Sequence, residues 1–186
     1  MLMRMRTMKM CGALAAAAAL VLAGCSSEST TDAETTGTTA TSTATAGECR
    51  DMVPFSEGGR EDKGQGPAAQ AVAESVALPG GVSLVTGRRS TDSDHPGEFA
   101  IAIDLCGGDI TTTDELRPVA TAFAMAYKAA PVSEQVFALY VAHYASFTET
   151  DTTGEIKLKD SDFQAHLWNG KPSESAELAR WEVVTG

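Results

Sequence analysis

Asparagine is almost missing from this chain, because Asn169 is the only one among 186 residues. Gly170 and Lys171 follow it, so the sequence holds no acceptor for N-linked glycosylation, which needs Ser or Thr two positions after the asparagine. Basic residues are also scarce, since 14 Lys and Arg stand against 25 Asp and Glu. A surface of this sign repels nucleic acid and anionic lipid headgroups, and we therefore expect neither as an electrostatic partner.

Motifs that carry enzyme chemistry are missing too. The chain contains no Gly-x-Ser-x-Gly elbow, no phosphate-binding glycine loop, no His-Glu-x-x-His and no Cys/His nucleophile pair. Its three histidines are scattered, with His95 in a predicted loop and His143 and His166 on different predicted strands. We therefore predict no catalytic residue, no metal site and no cofactor.

The acidic residues near the middle of the chain allow more than one interpretation. Asp92, Asp94 and Glu98 flank a turn-rich loop, but Pro96 departs from the calcium-loop pattern, and turns commonly use aspartate. Asp104 is the only charge between Phe99 and Cys106 in an otherwise apolar strand. Two interpretations of Asp104 stay open: a carboxylate paired by hydroxyl or backbone donors at a sheet edge, or a functional acid.

No apolar run reaches the length of a membrane span. The run from Cys11 to Leu22 is about a dozen residues, short of the roughly 20 that a transmembrane helix needs. Arg4, Arg6 and Lys9 precede this run. A cationic start followed by a short apolar stretch is typical of an export signal, and we assign residues 1–24 to it.

The last residues of this segment identify the kind of signal. Leu22-Ala23-Gly24-Cys25 resembles the lipobox of bacterial lipoprotein precursors. The resemblance implies transfer of diacylglycerol to the Cys25 thiol and cleavage between Gly24 and Cys25, often followed by palmitate-type acylation of the new amine. It also implies a protein anchored by lipid at the extracytoplasmic face of the cell membrane. The alternative is an ordinary cleaved signal of a secreted protein with a chance cysteine at this position.

Residues 25–48 follow the lipobox with the composition of a tether. From Ser26 to Glu48, 13 of 23 residues are Ser or Thr, and none is aromatic or a large aliphatic. Such a segment has nothing to bury, so we predict a disordered link between the lipid and a folded domain. Loss of the signal removes three basic residues and no acids, which gives the mature chain a charge of 11 − 25 = −14.

Two of the four cysteines remain once Cys11 leaves with the signal and Cys25 carries lipid. The remaining pair, Cys49 and Cys106, predicts a disulfide in an oxidising compartment. Metal ligation or redox chemistry is the alternative, but the chain has no Cys-x-x-Cys or Cys/His spacing to support it.

Residues 49–186 have the length and patterning of a single α+β domain. We predict an antiparallel sheet of about five strands with a main helix near 113–130 packed on one face. Thr112 and Glu115 stand in capping-box spacing at the start of that helix, and a shorter helix is expected between Pro67 and Leu78. The predicted strands cover Val82–Arg89, Glu98–Cys106, Val136–Phe147, Glu155–Trp168 and Trp181–Val184. A buried helix is the alternative for Val136–Phe147, an interruption is expected at Asp160-Ser161-Asp162, and a short helical turn is expected around Ser173–Leu178.

The pattern favours a noncatalytic binding or interaction domain. Tyr140, Tyr144, Trp168 and Trp181 are the candidate contact residues, because exposed aromatics on strands are recurrent anchors for partners. The same four side chains are alternatively core. The partner expected is an envelope protein or an apolar ligand. The other function class is an extracytoplasmic enzyme with an unrecognised carboxylate-based site.

Overall fold

The computed structural model of the chain describes residues 47–55 and 65–186. The predicted signal segment, Cys25 and the Ser/Thr-rich stretch as far as residue 46 lie outside the described residues. No helix within the described ranges is both long enough and apolar enough to cross a membrane.

The described residues form three α-helices and seven β-strands, and the predicted α+β class is confirmed. The helices are α1 (Gln65–Glu74), α2 (Thr113–Ala129) and α3 (Glu174–Leu178), with one 3-10 turn at Pro131–Gln135. The strands are β1 (Val82–Ser90), β2 (Phe99–Gly107), β3 (Val136–Tyr144), β4 (Ser146–Phe147), β5 (Thr152–Thr153), β6 (Ile156–Asp160) and β7 (Glu182–Thr185).

Five strands form the main sheet in the order β1-β2-β3-β6-β7. The pairs β1/β2, β3/β6 and β6/β7 are antiparallel, as expected, but β2 and β3 run parallel. The reason is α2, which lies between these two strands in the chain. Parallel neighbours need a crossover connection, and a helix that returns the chain to the starting edge provides it. The sheet is therefore mixed rather than purely antiparallel.

The predicted main helix is confirmed by its cap and its packing. Thr112 accepts a hydrogen bond from the backbone N–H of Glu115, and the Glu115 carboxylate accepts one from the Thr112 backbone, which completes the capping box. The apolar stripe of α2 covers the sheet face that carries every second residue of β2. Its buried members are Leu116, Val119, Ala120, Phe123, Ala124 and Tyr127, packed with Phe99, Ile101, Ile103 and Leu105.

A disulfide joins Cys49 to Cys106 across a sequence separation of 57 residues, as predicted. It ties the first described segment to β2, which is an interior strand. Cys49 also forms a parallel bridge with Phe147. Further along this segment, the Phe55 ring occupies the space that a Cβ would need at Gly87, so only glycine fits beneath it. The segment is thus fixed to the sheet by a covalent bond and by packing.

We predict that replacing Cys49 and Cys106 by Ser lowers the free energy of unfolding by about 2–5 kcal/mol, because the open chain regains loop entropy when it unfolds. Denaturant unfolding at neutral pH measures this. The wild-type protein kept in reductant is the control and should unfold at the same midpoint as the double variant. An unchanged midpoint in both would show that the disulfide does not stabilise the domain.

Candidate functional site

The sheet face opposite α1 and α2 carries most of the charged and aromatic side chains of the strands. Strand register places Arg88 of β1 beside Ala102, and Tyr140 of β3 beside Lys159 of β6. We call this surface the polar face. Its side chains are Thr86, Arg88, Ser90, Ala100, Ala102, Asp104, Cys106, Ala138, Tyr140, Ala142, Tyr144, Lys157, Lys159 and Glu182, which is the register partner of Lys159.

Asp104 lies at the centre of the polar face and is only 2% exposed. Its register partner is Thr86, and its Oδ2 lies 3.5 Å from Nη1 of Arg88. Its Oδ1 is buried and has no hydrogen-bond partner among the described residues. Burial raises the pKa of this carboxyl, while the nearby Arg88 and Lys157 charges act in the opposite direction. The strand therefore holds a carboxylate that is only partly compensated.

A small polar cluster adjoins Asp104 at the end of the sheet that carries the disulfide. The Tyr144 hydroxyl donates to the Glu155 carboxylate at 3.1 Å, and Lys157 lies 3.5 Å from the same oxygen. Burial raises the pKa of Tyr144, and the negative charges of Asp104 and Glu155 add to the effect. Tyr144 is 8% exposed, so its ring is largely part of the packing.

Tyr140 differs from Tyr144 because part of its ring remains accessible. It stands in the middle of the polar face between two lysines of β6. Nζ of Lys159 lies 5.4 Å from the ring centroid and Nζ of Lys157 lies 5.9 Å from it, both within cation–π range. Tyr140 is thus a half-buried aromatic surrounded by hydrogen-bond donors.

A cleft of about 460 Å³ opens beside Tyr140, where the β1–β2 loop meets the ends of β3 and β6. One wall is fixed by His95, whose ring stacks on Phe137 with centroids 4.1 Å apart and planes 3° from parallel. His95 also lies 3.1 Å from the Glu98 carboxylate. The lining is mostly polar and consists of Ser90, Thr91, Asp92, Asp94, His95, Ala100, Phe137, Tyr140, Lys159 and Ser161.

The two tryptophans are core residues rather than contact residues. Trp168 and Trp181 are 2% and 3% exposed, and their ring centroids are 5.0 Å apart. Trp168 Nε1 donates to Asp160 at 2.8 Å, and Trp181 Nε1 donates to Thr121 at 3.0 Å. Both polar atoms are satisfied inside the protein, so neither tryptophan presents a contact surface. Of the four predicted aromatics, Tyr140 alone lines the cleft.

The histidines occupy three separate places. His143 on β3 is 2% exposed, and its Nε2 lies 2.6 Å from the Gly107 carbonyl. Burial lowers the pKa of His143, which favours the neutral ring that donates to this carbonyl. His166 was expected on a strand, but it follows the end of β6 in irregular structure because β6 stops at Asp160, to which His166 is bonded at 2.8 Å. No group of three His, Cys, Asp or Glu side chains in the described residues is arranged to hold a metal ion.

Several side chains of the site were not predicted from sequence. Arg88, Phe137, Lys157 and Lys159 each belong to strands that the pattern identified, but their shared location depends on how the strands pair. One signal was present, because small residues alternate with larger ones in β2 and β3 and leave room for long neighbours on the same face.

These features define a disulfide-bonded α+β domain with helices on one sheet face and a polar cleft on the other. Comparison with protein families, with characterised proteins and with solved structures finds no match for the chain.

We predict that Asp104→Asn increases stability at neutral pH. A carboxyl whose pKa is raised by folding contributes stability below its unfolded pKa and loses that contribution as pH rises through the folded value. The neutral amide removes the cost of the buried charge, and Arg88, whose side chain is 45% exposed, remains hydrated. Denaturant unfolding should show a gain at pH 7 that disappears below about pH 4, where the carboxyl is protonated in the folded and the unfolded chain alike.

Asp160→Asn is the matched control for this experiment. Asp160 is also buried on the sheet, but it accepts hydrogen bonds from Trp168, His166 and the backbone of Asp162. An amide would point one N–H group at a donor, so this variant should lose about 1–3 kcal/mol. If Asp104→Asn were destabilising to the same degree at both pH values, the interpretation of Asp104 as a buried carboxylate that is only partly compensated would be wrong.

Proposed function

We propose that this protein is a lipid-anchored lipoprotein of the extracytoplasmic membrane face whose domain binds an envelope component without catalysis. The export signal and the lipobox at Cys25 support the anchor. The Tyr140 cleft supports the binding role. The chemistry of the anchor and the chemistry of the cleft are independent, so either can hold without the other.

The anchor would hold the domain at the membrane without embedding it. Each buried methylene of an acyl chain contributes roughly 0.8 kcal/mol, so one chain binds marginally while two or three bind durably. The Ser/Thr-rich residues after Cys25 would keep the domain on the order of 25 Å from the surface if they behave as a flexible chain. At that distance the domain would meet the polymers and proteins that surround the membrane.

The binding role rests mainly on one observation, which is that a half-buried Tyr140 lines a polar cleft of about 460 Å³. Ligand sites commonly have volumes of about 300–1,000 Å³ and a mostly apolar lining with a few polar groups that fix orientation. This cleft has such a volume and aromatic rings in its wall, but its lining is mostly polar. The polar lining disfavours an apolar ligand. A hydrogen-bonding component of the envelope is therefore the partner that this surface favours.

A carboxylate-based enzyme is the second candidate, and Asp104 is the observation that favours it. Its pKa is raised by burial, as in a general acid. A partner carboxylate with a lowered pKa would be expected beside it. The described carboxyls whose pKa is lowered are Glu115, which caps α2, and Glu182, on β7 three strands away from β2. The arrangement therefore favours binding over catalysis.

The anchor predicts that Cys25→Ala removes lipid from the full-length protein. Wild-type protein expressed in its own host should incorporate labelled fatty acid and sediment with membranes, whereas the variant should incorporate none and lose signal cleavage at Gly24-Cys25. Cys11→Ala is the control and should behave like wild type. If the Cys25 variant is processed and sediments as wild type does, the lipobox assignment is wrong.

The binding role predicts that Tyr140→Ala weakens association with isolated envelope. The purified mature chain, residues 25–186 with Cys25→Ser, lacks both the signal and the lipid, and it is mixed with envelope from its own host and sedimented. The affinity for envelope should fall about tenfold in Tyr140→Ala, since an aromatic anchor is commonly worth about that much. Met125→Ala is the control, because Met125 is 43% exposed on α2 at the other side of the sheet. Equal binding of all three proteins would contradict a role for the cleft.

A further inference from the structure

The Tyr140 cleft offers hydrogen-bond donors and acceptors together. Ser90 and Thr91 supply hydroxyl groups, which both donate and accept, and Ser161, whose hydroxyl donates to Glu182, supplies an acceptor. Asp92 and Asp94 supply acceptors, and Lys159 supplies donors. A ligand that matches this lining must itself carry many groups that both donate and accept.

The charges in the lining disfavour a ligand of either sign. Two carboxylates, Asp92 and Asp94, stand at the loop side, and the ammonium group of Lys159 stands at the sheet side. An anionic ligand would meet the carboxylates, while a cationic one would meet Lys159 and, beyond Tyr140, Lys157. Neutral hydroxyl groups satisfy both kinds of lining without bringing a charge into the cleft.

The aromatic surface adds a second requirement. The face of an aromatic ring carries partial negative charge and attracts C–H groups with partial positive charge. The C–H groups on one side of a pyranose ring have this character, and the hydroxyl groups at its rim would reach Lys159 and the loop. Phe137 forms part of the cleft wall, where the His95 ring stacks on it and lies 3.1 Å from the Glu98 carboxylate. These contacts support the open arrangement of the wall.

We infer that the cleft formed by the 90–98 loop, Phe137, Tyr140, Lys159 and Ser161 binds a neutral saccharide, with the Tyr140 ring as the stacking surface. This inference rests on the proposed binding function and names the class of its ligand. Tyr140 supplies apolar contact, Lys159 donates to hydroxyl oxygens, and the carboxylates of Asp92 and Asp94 accept from hydroxyl groups.

The experiment is a titration followed by amide NMR. The mature chain, residues 25–186 with Cys25→Ser, is titrated into the millimolar range with four neutral trisaccharides (tri-N-acetylchitotriose, cellotriose, maltotriose and mannotriose), with a galacturonate trisaccharide and with a neutral tripeptide. At least one neutral trisaccharide should give saturable shifts confined to residues 90–98, 137–140 and 159–161. Its affinity should change little with salt, because screening acts on charged ligands.

Variants then assign the shifts to the cleft. Tyr140→Ala should weaken the saccharide about tenfold, whereas Tyr140→Phe keeps the ring and should retain most of the affinity. Met125→Ala should bind as the parent does. Saturable binding of the galacturonate or the tripeptide alone, shifts outside the cleft, or no shifts with any neutral trisaccharide would each overturn the saccharide inference.

The sedimentation experiment separates the two proposals. If envelope binding depends on Tyr140 but no trisaccharide shifts the cleft, the ligand class is wrong and the binding function stands. If envelope binding is also insensitive to Tyr140, both proposals fail.

Discussion

The buried carboxylate of Asp160 is the contact on which the C-terminal third of the domain depends. It ends β6 and accepts hydrogen bonds from Trp168, His166 and the Asp162 backbone, which fixes the chain where it leaves the sheet. Trp168 adopts a φ of 46°, a left-handed conformation that a bulky residue rarely takes, and its buried hydrogen bond compensates for this. The segment is also held from α2, because Arg117 donates to the carbonyls of Leu178 and Trp181 at 2.8 Å each. Ser161 and Lys159 of the cleft therefore stand next to one of the best-satisfied groups in the described part of the protein.

One face of the sheet supplies the apolar core, and the other carries the proposed binding site. The helices bury the face that carries Ile101, Ile103 and Val141, which supplies the apolar core. On the polar face, alanines of β2 and β3 alternate with Asp104 and Tyr140, so little apolar surface needs cover there. A face that contributes less to the core is free to carry charged groups and a cleft. The parallel pairing of β2 and β3 explains why the two faces differ. The connection between these strands contains α2, which packs on one face of the sheet and leaves the other face without a helix.

The features of the fold that depend on local sequence pattern could be predicted from the sequence. The capping box at Thr112 and the alternation in β2 define their elements within a few residues, and cysteine arithmetic selects the Cys49–Cys106 pair. The parallel pairing was missed because a strand carries no local signal of its neighbour's direction. The tryptophans could not be assigned to core or surface, since their buried N–H groups are satisfied by Asp160 for Trp168 and by Thr121 for Trp181, and neither partner is adjacent in sequence. The cleft was missed for the same reason: its residues come from the β1–β2 loop, β3 and the end of β6.

Asp104 shows how the disulfide and the polar face are connected. A buried polar group without a partner costs about 1–3 kcal/mol, and a buried charge costs more. Asp104 lies two residues from Cys106 on the same strand and the same face, so the disulfide reinforces the strand that carries this cost. Removal of a disulfide typically costs about 2–5 kcal/mol, which is of the same order as the cost of one such buried group. The buried carboxylate of Asp160 differs from that of Asp104, because each of its two oxygens accepts a hydrogen bond. Asp104, whose charge Arg88 and Lys157 compensate only in part, therefore lies on the strand that the disulfide joins to the first described segment, and on the face that carries the cleft.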